Sequence, residues 1–205
     1  MSLRGRYAYA VPAWPPISPE LIVAAYLQGI FPMADERGKI GWYSPDPRAI
    51  FPLDGFHVPR SLRKLLKNSP FEIRVDTAFR DVMMGCADRE PTWINEKILD
   101  NYTRLHERGI CHSVEAWLGE ELVGGLYGVA LGGAFMGESM FSRVSDASKV
   151  CLVALVERLG ARGFVLLDSQ MPTDHLKKFG QILITREEYL RRLEAAVKLD
   201  CRFAD

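Results

Sequence analysis

The sequence has no excess of charge of either sign: 26 lysines and arginines balance 26 aspartates and glutamates, for a formal net charge of zero. The molecule as a whole therefore has no field for a polyanion, and any nucleic-acid site must be a local patch. Long apolar runs are missing too. None approaches the roughly 18 residues that a membrane-crossing helix needs. The N-terminal stretch 1–16 lacks the apolar centre of a secretory signal, so no membrane partner is expected. Cysteine is sparse: Cys86, Cys111, Cys151 and Cys201 lie far apart, with no CxxC and no Cys/His pairing at zinc-ligand spacing. They read as buried, reduced thiols of a cytoplasmic protein, and no metal site is expected. The histidines, His57, His106, His112 and His175, do not cluster and read as surface or hydrogen-bonded structural residues. Neither GxxxxGK[ST] nor GxGxxG stands before a helix, which argues against a phosphate-binding loop.

What is present suits one domain, or a full domain with a small appendage: 205 residues, 48% of them hydrophobic and 25% charged. Residues 1–17, rich in proline and aromatics, read as an irregular surface arm. Ser18-Pro19-Glu20 then places serine at an N-cap and proline at the first helical position, with Gly29 as the stop. The stretch Phe31–Pro52, with four prolines and two glycines, reads as a linker packed between a small N-terminal unit and the main domain. In Arg60–Lys67, leucines at i, i+3 and i+4 predict an amphipathic helix with a cationic outer face.

A strand at 71–75 and helices near 77–87 and 95–108 follow. Three strands joined by short glycine turns are then predicted over 112–118, 121–130 and 134–140. The helix expected over 146–159 is apolar nearly all around, hence buried on most sides. Phe164–Leu167 suits a central buried strand. A short helix (173–179), a strand (182–184) and a last helix opened by a Thr185/Glu188 capping box complete the chain. The fold class is α+β, or mixed α/β, with antiparallel strands meandering before a helix–strand crossover, an order that resembles that of GNAT-type acyltransferases. Members that use acetyl-CoA carry [RQ]xxGx[GA] at a helix start; no such run exists here, so no CoA cofactor is expected.

Three stretches carry candidate chemistry. Asp168-Ser169-Gln170 ends the most buried strand, and on a regular strand Asp168 and Gln170 would share a face. Strand ends are where such sheets meet ligands; the plainer role for Asp168 is to cap the following loop. Glu138 lies among Phe135, Met136 and Met140, where a carboxylate needs a partner or water. It can hold a cationic substrate group, or pair internally with Arg143 or Lys149. From Arg60 to Arg74 five basic residues oppose one acidic residue, the local density that phosphate contacts need, although solvated helix faces look the same. The glycines Gly124, Gly125, Gly128, Gly132 and Gly133 read as bulges or close backbone approaches.

Taken in order, several runs resemble the leucyl/phenylalanyl-tRNA–protein transferase family. They are Tyr26-Leu27-Gln28-Gly29-Ile30-Phe31-Pro32, Trp42-Tyr43-Ser44-Pro45-Asp46-Pro47-Arg48, Thr92-Trp93-Ile94 and Leu122–Val129. Gly137-Glu138-Ser139-Met140-Phe141-Ser142-Arg143, Ala147-Ser148-Lys149, Asp168-Ser169-Gln170 and Thr173-Asp174-His175 complete the set. Met33 stands where many members carry tryptophan. The resemblance implies a small N-terminal domain with its linker (1–46) on a GNAT-like catalytic domain (47–205). It also implies transfer of Leu or Phe, and more weakly Met, from the 3′ end of aminoacyl-tRNA to proteins beginning with Arg or Lys, marking them for N-degron degradation.

By the same resemblance Asp168 and Gln170 match the catalytic pair and Glu138 the acidic site residue. Leu126, Phe135, Leu152, Leu155 and Leu167 would line the aminoacyl pocket, with Tyr26, Trp93 and Tyr102 near the terminal adenosine. Arg60, Arg63, Lys64 and Lys67 are the candidate tRNA contacts. Competing expectations are transfer of another aminoacyl group, such as Arg to acidic N-termini, a CoA-dependent N-acyltransferase, and a non-catalytic RNA-binding module.

Overall fold

The computed structural model describes residues 15–204, so the arm expected over 1–17 lies almost wholly outside the described residues. Helix α1 (Pro19–Tyr26) starts as the sequence predicts: the Ser18 hydroxyl accepts from the Leu21 amide at 3.2 Å. Gly29, at φ +71°, turns the chain out of it.

The expected linker is instead three short strands. β1 (Phe31–Ala34) and β2 (Ile40–Tyr43) form an antiparallel hairpin of their own. β3 (Arg48–Phe51) is buried at all four positions and enters the main sheet. Four-residue strands among prolines carry too little period to be told from a loop, and β3 finds its partners only far along the chain.

The remaining elements follow the sequence reading within a few residues. They are α2 (Arg60–Leu66), β4 (Glu72–Val75), α3 (Phe79–Ala87), α4 (Glu96–Glu107), β5 (Cys111–Leu118), β6 (Glu121–Leu131) and β7 (Ala134–Ser142). Then come α5 (Ala147–Ala161), β8 (Leu166–Gln170), α6 (Asp174–Lys177), β9 (Ile182–Ile184) and α7 (Arg186–Ala196). The Thr185 hydroxyl caps α7, but the Glu188 carboxylate turns to Arg191 and Arg192, so only half of the capping box forms.

The seven-stranded sheet runs β4-β5-β6-β7-β8-β3-β9 and is antiparallel except between β7 and β8. The parallel pair is what α5 makes necessary, because a crossover helix returns the chain in the same direction. Alternate residues of the sheet feed two cores. Tyr127, Val129 and Met136 face a cluster built with α1, α3 and α4, while Leu126 and Phe135 face one built with α5. The first cluster includes Ile22, Phe31 and Trp42, so the N-terminal unit shares a core with the main sheet. The fold is thus α+β, with a mixed sheet and a small N-terminal unit.

Candidate active site

β7 and β8 pair at Ala134–Leu166, Phe135–Leu167 and Met136–Asp168. Gly137-Glu138 and Ser169-Gln170 continue past that last pair, and a cleft opens there. Asp168 is fully buried, and its carboxylate accepts four hydrogen bonds. Oδ1 takes Arg48 Nε (3.0 Å) and the Gln170 main-chain N–H (2.8 Å); Oδ2 takes Arg48 Nη2 (2.6 Å) and the Tyr189 hydroxyl (2.8 Å). These donors occupy its lone pairs, so Asp168 orients other groups and has no free site for a substrate proton.

Arg48, 1% exposed, opens β3. Its Nη1 donates to the Gly29 carbonyl at 3.0 Å, and its guanidinium lies 5.0 Å from the Phe31 ring centre and 4.3 Å from that of Tyr189. Burial works against the charge, but the Asp168 carboxylate, with Tyr189 and Tyr26 beside it, tips the balance, and the guanidinium is held more firmly protonated than a free arginine.

The strand that carries Asp168 and Gln170 is not the regular one expected. The β3–β8 register shifts between Ala49 and Ile50, leaving Ser169 as the extra residue, and Gln170 has φ +62°. A bulge re-aims the side chains beyond it. Asp168 therefore meets Arg48, while Gln170 Nε2 donates to Glu138 Oε1 at 2.5 Å. The same oxygen accepts from the Tyr26 hydroxyl at 2.5 Å, and Tyr26 in turn lies 2.6 Å from the Tyr102 hydroxyl. Since Tyr26 spends its proton on Glu138, Tyr102 is the donor in that pair. Burial, with the Glu138 charge adding to it, raises both phenols well above their ordinary range, which keeps them neutral donors.

The internal ion pair considered for Glu138 does not form: Lys149 bonds Asp146, and Arg143 donates to the Leu122 carbonyl. Burial pushes the Glu138 carboxyl up to about 7; the Tyr26 bond opposes this, the Asp168 charge adds to it, and Gln170 and Arg48 oppose it. Glu138 is partly exposed at the cleft. Because the carboxylate takes the amide NH2 of Gln170, the amide is oriented with its carbonyl Oε1 away from Glu138. Among the described residues no hydrogen bond reaches that oxygen.

The cleft leads into a cavity of about 350 Å³. Leu126, Leu152, Leu155, Leu167 and Trp93 line it, with Gly137, Glu138, Asp168 and Gln170 at the polar end. Three expected contacts do not reach the wall. Phe135 is wholly buried beneath it, packed on Phe203. Tyr26 and Tyr102 are shut in the other core behind Glu138, where neither ring has a face free for an adenine. Residues that the sequence reading did not place in the pocket also line the cavity: Met33, Met140, Met171 and His175, as well as Arg89, which lies over the Trp93 ring at 4.2 Å and donates to Ser139. An arginine four residues before a tryptophan is too common a pattern to have marked this pair.

Arg60, Arg63, Lys64 and Lys67 form one basic depression on α2, while Leu62 anchors the helix in the core. Of the other histidines, His106 stacks on Phe79 and His112 bonds Asp76 at 2.7 Å, while His57 is exposed. Cys86, Cys111 and Cys151 are buried free thiols; Cys201 is partly exposed. Among the described residues, no group of three or more His, Cys, Asp or Glu is placed to hold a metal, and no helix is long and apolar enough to cross a membrane.

The family model for the leucyl/phenylalanyl-tRNA protein transferase matches residues 50–194, and that for the family's N-terminal domain matches residues 16–46. A leucyl/phenylalanyl-tRNA–protein transferase of Rubrobacter xylanophilus is 54% identical over 189 residues, 92% of this chain and 99% of the relative. Proteins of the same description from Gloeobacter violaceus and Herpetosiphon aurantiacus are each 55% identical over 188 residues, 91% of this chain and 97% and 98% of theirs. Matched over both family regions and nearly end to end by these relatives, the chain belongs to the leucyl/phenylalanyl-tRNA–protein transferase family.

Proposed function

We propose that the protein moves Leu or Phe, and Met less readily, from the 3′ end of aminoacyl-tRNA to acceptor proteins whose N-terminal residue is Arg or Lys, committing them to N-degron degradation. The observation that carries this is an apolar cavity, about 350 Å³ and floored by leucines, whose polar end holds Gln170 and Glu138. Such a cavity takes the aminoacyl side chain, and the ester carbonyl then lies at the polar end. Among the alternatives, transfer of an arginyl group fits poorly with a leucine-lined wall.

The tRNA ester is already activated, and an α-amine of pKa ~7.7–8.0 is about one-tenth free base at neutral pH. Full deprotonation would gain only ~1 kcal/mol, against the ~7–11 kcal/mol available from holding two reactants in place. Positioning therefore dominates. The Gln170 carbonyl Oε1 accepts an N–H of the incoming amine, and Glu138, which orients that amide, offers its second oxygen to the acceptor's cationic end or to the adenosine ribose. The basic face of α2 contacts tRNA phosphates, and Trp93 stands at the mouth for the terminal adenosine.

The antiparallel run β4–β7, the crossover α5 and the parallel β8 support a GNAT-like reading of the catalytic domain, residues 47–205, with residues 1–46 as the smaller unit. Three buried free thiols suit a cytoplasmic setting.

The test is single-turnover transfer from leucyl-, phenylalanyl- and arginyl-tRNA to peptides beginning with Arg or Asp. Leucyl and phenylalanyl donors on the Arg peptide should dominate, and Gln170→Ala should slow them about 100-fold, the loss that follows from a misplaced reactant. An arginyl donor used as readily as leucyl would refute the cavity assignment. A wild-type rate in Gln170→Ala would remove Gln170 from the site.

A further inference from the structure

We propose that Arg48 is a positioning residue for this transfer: it fixes Asp168, and Asp168 in turn fixes the backbone turn that presents Gln170 to the cavity. The inference rests on the functional reading above and adds a residue to it. Arg48 is not among the residues lining the cavity, so it acts through others.

A buried ion pair is weak support for stability, because apolar residues of the same volume do as well or better. Its presence at 1% and 0% exposure therefore calls for a geometric reason. The contacts supply one. Nε and Nη2 grip both oxygens of Asp168, Nη1 is tied to the Gly29 carbonyl, and the guanidinium carbon lies over the rings of Phe31 and Tyr189. No freedom is left to the carboxylate, and Lys cannot reproduce a planar fork.

The fixed oxygen Oδ1 is the one that accepts the Gln170 N–H at 2.8 Å. Gln170 holds φ +62°, a left-handed conformation that a non-glycine residue adopts only when its surroundings impose it. From that turn its amide reaches Glu138 at 2.5 Å. Arg48, Asp168, Gln170 and Glu138 thus form one chain of hydrogen bonds running from the buried end of β3 to the cavity wall.

The experiment uses the full-length protein as Arg48→Lys, Asp168→Asn and the double variant, with kcat and donor KM measured against leucyl-tRNA. Arg48→Lys should lower kcat about 10- to 100-fold, as a small misplacement of a reacting group does, with donor KM within about threefold. Because Arg48 works only through Asp168, the losses should not multiply in the double variant. The 15N resonances of the Gln170 main-chain and side-chain amides should shift in Arg48→Lys while those of α2 stay in place.

Wild-type kcat in Arg48→Lys, multiplying losses or an unmoved Gln170 amide would each overturn the proposal. If Arg48→Lys does not fold, the neutral pair Arg48→Gln/Asp168→Asn is compared with Asp168→Asn alone; equal kcat supports the proposal and a further drop overturns it. Failure of the wild-type protein to transfer from any donor would count against the functional reading instead, and the Gln170 resonances would still decide the role of Arg48.

Discussion

Asp168 and Glu138 share one site, and their surroundings set them apart. Asp168 has every lone pair engaged and a cation locked against it, whereas Glu138 holds two neutral donors on one oxygen and faces the cleft with the other. The Glu138 carboxyl, pushed up to about 7 from an ordinary 4.5, binds its proton more tightly in the folded protein than in the unfolded chain. Its contribution to stability therefore falls as pH rises through that interval. Glu138→Gln removes the ionisation, so its thermal midpoint should gain on that of the wild-type protein between about pH 5 and about pH 8. A difference that does not change with pH would refute this. Both carboxylates and Gln170 were legible in the sequence, because polar residues ending apolar strands are conspicuous. Arg48 was not: its partner lies 120 positions away, and only its place at the head of the apolar Ala49-Ile50-Phe51 hinted at burial. Tyr26 and Phe135 were legible as aromatics but not as buried ones, since burial depends on which core the fold assigns them.

Helices and long strands followed from periodicity and caps, as at Ser18 and Thr185. β1, β2 and β3 did not, because four residues interrupted by proline show no usable period. The glycines of β6 were read as bulges or close approaches; Gly128 is a close approach, and the extra residue opposite it is Glu138 of β7. An added Cβ at Gly128 would stand 2.4 Å from Phe135 Cε1 and 2.5 Å from the Met136 carbonyl oxygen. Moving the ring relieves only the first contact; the second is against main chain held by the Met136–Asp168 pairing, so β6 and β7 must part as well. Gly128→Ala should cost about 3 kcal/mol or more in urea unfolding with an unchanged m-value. It should also impair phenylalanyl more than leucyl transfer, because the displaced Phe135 crowds the cavity floor from beneath. Equal loss with both donors would show that the floor does not respond to this contact.

With a net charge of zero, tRNA attraction has to come from one face. α2 presents Arg60, Arg63, Lys64 and Lys67 together, and its apolar side packs towards α5, the helix that supplies Leu152 and Leu155 to the cavity. Arg63→Ala/Lys64→Ala should raise the KM for aminoacyl-tRNA and flatten its logarithmic salt dependence by about 0.7–0.9 per lost phosphate contact. It should leave the rate with a short aminoacyl-adenosine donor unchanged; a matching fall with that donor would make the face part of the site rather than a tether for the RNA.

The Arg48 clamp also bears on when the molecule becomes competent. Gly29 near the start, Asp168 well along the chain and Tyr189 in the final helix all converge on a single guanidinium. A nascent chain that has emerged only as far as Gln170 carries every proposed reacting group in its sequence but lacks the ring that closes the clamp. The helix Arg186–Ala196 is then a keystone, and synthesis must run past Tyr189 before the site can exist in space.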